Sequence, residues 1–187
     1  MRYFETIKCE DFEIFHLNYH KKRVMNTIGL NINLEEYIYP PTKDLLKCKV
    51  VYDQSGVLEV SFDKYTKKDI KIFKLVYNDK IIYDKKNINR FEINNLLLKK
   101  EKSDEIIIIQ NNLVTDTSIA NIAIFFNDEW ITPNQPLLQG ITKNRLIEKG
   151  KLKPKDITVK MLKKCTKIAT LNAMVDFNII EDFEIIN

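Results

Sequence analysis

Aromatic and aliphatic residues alternate with polar ones over residues 3–8 and again over 12–17, with Glu10-Asp11 between them, and the pattern predicts a β-hairpin. From Asn18 the apolar positions Tyr19, Val24 and Ile28 stand among lysines and an arginine. This spacing predicts a helix that stops at Gly29, whose missing Cβ permits a left-handed cap. A helical stretch is expected over 34–38, closed by Pro40-Pro41 because a proline restricts its predecessor to extended geometry. Another helical turn is expected over 42–47, then strands over 48–52, 57–62 and 71–77. Past a polar cluster, Ile88, Phe91, Ile93, Leu96, Leu97 and Leu98 recur at nearly helical spacing and predict a helix over 87–100. The run Ile106-Ile107-Ile108-Ile109 reads as a buried strand, since β-branched side chains suit the pleat. Strands over 113–115, 120–126 and 130–132, helices from Thr142 to before Gly150 and over 158–165, and closing strands complete the chain. The elements predict an α/β (α+β) protein, with a small α/β domain over 1–79 and a larger, strand-rich α/β domain over 80–187.

Composition narrows the classes. Hydrophobic residues make up 44% of the 187, enough for a core without disulfide or metal staples. The formal net charge is +4, with basic and acidic residues interspersed, which disfavours a dedicated nucleic-acid binder. No apolar run reaches the ~18 residues of a membrane span, and charges occupy the place of a signal peptide's apolar stretch. Cys9, Cys48 and Cys165 are far apart and odd in number, so a reducing cytoplasm is the expected location. His16 and His20 lack partners at ligand spacing, and no metal site is expected.

The first chemical signal is Gln139-Gly140-Ile141-Thr142-Lys143-Asn144-Arg145. Its glycine admits close backbone approach, Thr142 is a natural N-cap, and the open amides of a helix start favour a phosphate. An ordinary helix cap has the same appearance, so the segment gains weight only from its company. That company is Phe4-Glu5-Thr6, His20-Lys21-Lys22-Arg23, Lys86-Asn87-Ile88-Asn89-Arg90, Val114-Thr115-Asp116 with Asn121-Ile122, Thr132-Pro133 and Thr170-Leu171-Asn172-Ala173-Met174. In this order and spacing the segments resemble the class IV aminotransferase family, the fold type IV pyridoxal phosphate enzymes, across residues 4–174. The Lys86 segment is similar to that of the aminodeoxychorismate lyase branch.

The resemblance implies that Lys86 is the Schiff-base lysine, with Lys85 as the fallback, and that Asp116 faces the pyridine nitrogen of pyridoxal 5'-phosphate. Asp116 stands where the family has Glu, one methylene longer. Arg23 and the amides of Ile141 and Thr142, after Gly140, are implied to hold the phosphate, and Asn121 to hydrogen-bond backbone near the site. Arg90, Arg145 and the segment Asn172, Ala173 and Met174 are implied substrate contacts; His20 is expected to pack at the helix start rather than act as a base. The family's first strand and a Gly-Asp-Gly type segment would precede Phe4, so a shortened small domain is expected. The leading implied activity is a lyase acting on a small molecule, 4-amino-4-deoxychorismate. A transaminase of D-amino or branched-chain amino acids and a non-catalytic cofactor-binding protein are the alternatives. A homodimer without nucleic acid or membrane partners is implied too.

Overall fold

The computed structural model describes residues 1–187. In β1 (Tyr3–Glu10) the alternation is realised, with Tyr3, Glu5, Ile7 and Cys9 buried. The expected second strand shrinks to β2 (Glu13–Ile14), because the chain turns at His16, in the left-handed region, straight into α1 (Leu17–Ile28). Along α1 the residues His20, Val24 and Ile28 recur every fourth position and form its buried face. Gly29, at φ 75°, ends the helix, and its amide donates to the Met25 carbonyl.

The expected helical stretch at 34–38 is a single 3₁₀ turn, Leu34–Glu36. The helical turn expected over 42–47 is absent. Leu46 instead opens β3 (Leu46–Asp53), where Leu46, Cys48 and Val50 lie at alternate buried positions and Leu46 pairs with Cys9. With β4 (Gly56–Lys64) the strands form an antiparallel sheet in the order β2-β1-β3-β4. Ile7, Cys9, Val24, Ile28, Leu34, Cys48 and Val50 make its core.

The second sheet begins with β5 (Ile72–Tyr77), which runs parallel to β6 (Glu105–Gln110). Between them lies α2 (Phe91–Leu97) with a 3₁₀ turn, Leu98–Lys100. The helix expected from residue 87 starts only at 91, because residues 86–88 are extended and hydrogen-bonded to β1. The isoleucines of β6 are all fully buried: Ile107 and Ile109 face one core cluster, Ile106 and Ile108 another. Burying each of these side chains contributes roughly 1.5–3 kcal/mol.

The remaining elements are β7 (Leu113–Thr117), β8 (Asn121–Phe126), β9 (Glu129–Pro133), α3 (Ile141–Glu148), β10 (Lys153–Lys155), α4 (Val159–Leu162), β11 (Lys167–Asn172), β12 (Asp176–Ile180) and β13 (Glu184–Ile186). The sheet order is β10-β9-β8-β7-β6-β5-β13, with β11 joining β8 to β12. The helix expected over 158–165 is shorter; Thr158 caps it, accepting from the Met161 amide.

The chain divides into two units, residues 1–67 with 85–89, and residues 68–84 with 90–187. This division differs from the boundary expected at residue 79. β5 lies in the second unit because its partners are β6 and β13, and residues 85–89 return to the first because they pair with β1.

Candidate active site

In the first unit, the extended stretch that carries Lys86 is pinned by backbone. Its carbonyl accepts from the Phe4 amide at 2.9 Å, the Ile88 amide donates to Arg2 at 3.2 Å, and Asn87 bridges to Tyr3. Backbone bonds on both sides fix the direction of the lysine side chain, whose Nζ lies 4.5 Å from the centre of the Phe4 ring. Lys85 points elsewhere, and its Nζ donates to the Thr27 carbonyl at 3.1 Å. Lys86, half-buried, is thus the better placed of the two for chemistry.

Beside it lies a fully buried acid. Glu5 occupies an inward position of β1, and α1 places His20 and Arg23 against it, three residues apart on one face. Arg23 Nε donates to Glu5 Oε1 at 2.8 Å, Arg23 Nη2 donates to Oε2, and His20 Nδ1 approaches Oε2 at 2.5 Å. Burial alone would raise the Glu5 carboxyl; the Arg23 guanidinium and the His20 bond reverse that and hold it at about 2. Burial also pushes His20 below its ordinary value and keeps it neutral, against the pull of Glu5, so Nδ1 carries the proton toward the acid. The guanidinium is locked in a two-pronged contact and arrives at any ligand already oriented. His20 is wholly enclosed, in keeping with packing rather than proton transfer.

The second unit holds the second set. A tight turn between β7 and β8 sets Asp116 directly opposite Asn121. Asn121 Nδ2 donates to Asp116 Oδ1 at 2.6 Å and to the Leu138 carbonyl at 2.9 Å, while the Leu138 amide donates to Asp116 Oδ2 at 2.9 Å. Asp116 is 4% exposed, and burial pushes its carboxyl up to about 6 despite these donors. Gly140 completes the interlock, for a Cβ there would fall on Asn121 Oδ1, far inside van der Waals contact. The Asn121 amide therefore ties the acid to the start of α3, and only glycine leaves it room.

The structure corrects the cap. Gly140, in extended conformation, is the N-cap, no side chain caps the helix, and Thr142 lies within the first turn, 2% exposed. The amides of Ile141 and Thr142 belong to the turn whose donors have no intrahelical acceptor, as the phosphate expectation requires.

Of the expected substrate contacts, Arg90 and Asn172 converge on the turn after Asp116. Arg90 Nη2 donates to the Ser118 carbonyl at 2.5 Å, and Asn172 Nδ2 reaches the Ile119 carbonyl at 3.5 Å. Asn172 Oδ1 takes the amides of Met174 at 2.9 Å and Val175 at 3.1 Å. The Met174 amide is thus paired within its own turn, and Ala173 lies between the two ends of that turn. Arg145 is buried in an ion pair with Asp176 of β12, which ties α3 to the β11–β12 hairpin.

Two residues were missed. Glu5 has no implied role within Phe4-Glu5-Thr6, although its place between Tyr3 and Ile7 in a strict alternation marks it as inward-facing. Lys143, 3% exposed, carries no sequence signal for burial, since one lysine among so many looks solvated. The first unit thus offers an oriented guanidinium and a lysine on pinned backbone, and the second a buried acid and an uncapped helix start. No group of His, Cys, Asp and Glu is arranged to hold a metal, and no helix is long and apolar enough to cross a membrane.

A family model described as amino-transferase class IV matches residues 64–181. An uncharacterised protein of Haemophilus influenzae is 31% identical over 182 residues, covering 91% of this chain and 96% of that one. The crystal structure of a candidate 4-amino-4-deoxychorismate lyase from Haemophilus somnus shares 31% identity, with TM-score 0.79 over 92% of this chain and 96% of that one. A hypothetical aminotransferase from Mycobacterium tuberculosis, in a pyridoxal phosphate-bound form, has TM-score 0.77 at 14% identity, covering 98% of this chain and 81% of that one, a likeness of fold.

Proposed function

Because the chain belongs to the class IV aminotransferase family of enzymes, we propose that it is a pyridoxal phosphate-dependent lyase converting 4-amino-4-deoxychorismate to 4-aminobenzoate and pyruvate, a step that supplies folate synthesis. The observation that carries the reading is the 31% identity, over nearly the whole of both chains, with a protein named as a candidate for that reaction. The family is pyridoxal phosphate-dependent, and the residues fit the group. The phosphate dianion suits the Arg23 guanidinium and the amides of Ile141 and Thr142, after Gly140. The ring nitrogen suits Asp116, and the aldehyde suits the amine of Lys86.

When bound, pyridoxal phosphate supplies an electron sink for charge that develops beside the substrate nitrogen. The chain's own residues do the rest. Asp116, ionised, favours a protonated ring nitrogen. Asn121 holds the acid in place and joins it to α3. Glu5 and His20 orient Arg23, so that little rotamer freedom is lost when an anion binds. Lys86 would hold the cofactor through its amine, and as a free amine it would be the group to move protons on the substrate. Arg90 and Asn172, at the turn following Asp116, are proposed to meet the substrate carboxylates. The assembly is proposed to be a homodimer, measurable by light scattering.

Borohydride reduction of the protein mixed with pyridoxal phosphate, followed by peptide mapping, should label Lys86. A label on another lysine, or none, rejects the assignment. Incubation with aminodeoxychorismate alone should yield 4-aminobenzoate over many turnovers. A reaction that stops after one equivalent and resumes only with a 2-oxo acid establishes a transaminase instead.

A further inference from the structure

The second unit contains a buried cation that none of the roles above uses. Lys143 lies in the first turn of α3 and is 3% exposed, yet the hydrogen bond of its ammonium is a long one, 3.4 Å to Gln139 Oε1. A lysine is almost never enclosed to this degree without a compensating charge. Gln139 directly follows Leu138, whose amide donates to Asp116 Oδ2, and it precedes Gly140, which abuts Asn121. The ammonium thus belongs to the same cluster as the acid, joined to it through Leu138-Gln139.

We propose that Lys143 is a positioning residue whose buried ammonium is the counter-charge of the Asp116 carboxylate. The surrounding groups leave this part to it. Asn121 of β8 and the amides of Leu137 and Leu138 are neutral donors. Glu105 of β6, buried like Asp116, directs Oε1 to the amides of Ile106 and Ser118 and leaves Oε2 without a partner; it is an acid and cannot balance another. Lys160 of α4 is exposed, Glu129 of β9 is held by Lys153 and Lys155, and Arg145 of α3 by Asp176. The electrostatics run both ways, as they must for a pair: the field of Lys143 pulls Asp116 down against its burial, and Asp116 holds up a lysine that burial pushes down. The consequence for a bound ring nitrogen rests on the pyridoxal phosphate reading; the coupling of the two side chains does not.

The coupling is tested on the full chain without cofactor, by following the Asp116 carboxyl carbon by NMR through a pH titration, with Asp116→Asn assigning the signal. Lys143→Met, similar in volume but uncharged, should move the midpoint up by about one unit, a tenfold change in proton affinity. Lys143→Arg should restore it, and Lys160→Met should leave it where it was. By reciprocity, Asp116→Asn should lower the proton affinity of Lys143 by a similar factor, read from the nitrogen signal of its ammonium; this arm stands even if Lys143→Met does not fold. A midpoint unmoved in Lys143→Met, or a Lys143 indifferent to Asp116→Asn, overturns the proposal. Repeating the titration with pyridoxal phosphate separates the two claims. A coupled pair that does not respond to the cofactor counts against the cofactor reading alone.

Discussion

Gly140→Ala is the sharpest probe of the Asp116 interlock, because the backbone itself has no objection to alanine. Gly140 sits at φ −72° and ψ 139°, a conformation open to any residue. The whole cost comes from Asn121, whose Oδ1 lies where the new Cβ must go and whose Cγ is 3.0 Å from it. To make room, the Asn121 side chain has to leave both its acceptors. One is the Asp116 carboxylate, a charge-assisted bond worth about 1.5–3 kcal/mol, and the other the Leu138 carbonyl, worth about 0.5–1.5 kcal/mol. Gly140→Ala should therefore lower stability by about 2–4 kcal/mol, and Asn121→Ala by a similar amount. The double variant should be no worse than Asn121→Ala, and better by about 0.4–1 kcal/mol, because alanine restricts the unfolded chain where nothing in the fold resists it. Urea unfolding of the four proteins measures this as a double-mutant cycle. Costs that simply add would show that the glycine and Asn121 act independently, and the interlock would be refuted.

Other consequences are as direct. Glu5 titrates at about 2 in the fold against an ordinary 4.5, so its contribution is complete above 4.5 and is lost as pH falls toward 2; the difference, 4.5 − 2 = 2.5 units, corresponds to roughly 3 kcal/mol. Glu5→Gln should flatten that acid limb of the stability profile and, by leaving Arg23 partly uncompensated, cost about 3–5 kcal/mol at neutral pH; an unchanged limb in urea titrations across pH would contradict the assignment. Arg23→Lys keeps the charge but not the two-pronged contact, and pyridoxal phosphate affinity should drop about tenfold or more by fluorescence titration. Ile107→Ala, in a fully buried strand, should cost about 2–5 kcal/mol in chemical denaturation.

The β strands and the amphipathic helix were legible because their signals are local. The alternation in β1, the isoleucine run in β6 and the glycine after α1 each determine a nearby backbone conformation through sterics and burial. The errors fall where a local signal competed with pairing. Residues 87 and 88 fit a plausible helical pattern, yet hydrogen bonds to β1 hold them extended. Leu46 looked like part of a helical turn until its pairing with Cys9 placed it in a strand. Thr142 has the chemistry of a cap, but the cap is Gly140, two residues earlier, where the chain packs closely against Asn121.

The sequence by itself determined which chemical groups the chain offers: in order, the arginine Arg23, the lysine Lys86, the acid Asp116, the asparagine Asn121 and the glycine-led helix start at Gly140, together with the strands and helices that carry them. Their partners were decided only by the tertiary structure. Asp116 and Asn121, five residues apart, become opposite members of a hairpin; Glu5, His20 and Arg23 meet because a strand and a helix pack on one core. Burial, which raises Asp116 and submerges Lys143, is a property of the packed environment and not of either residue. Residue type and spacing specify local geometry and charge, whereas ionisation and orientation depend on what the fold brings within a few ångströms.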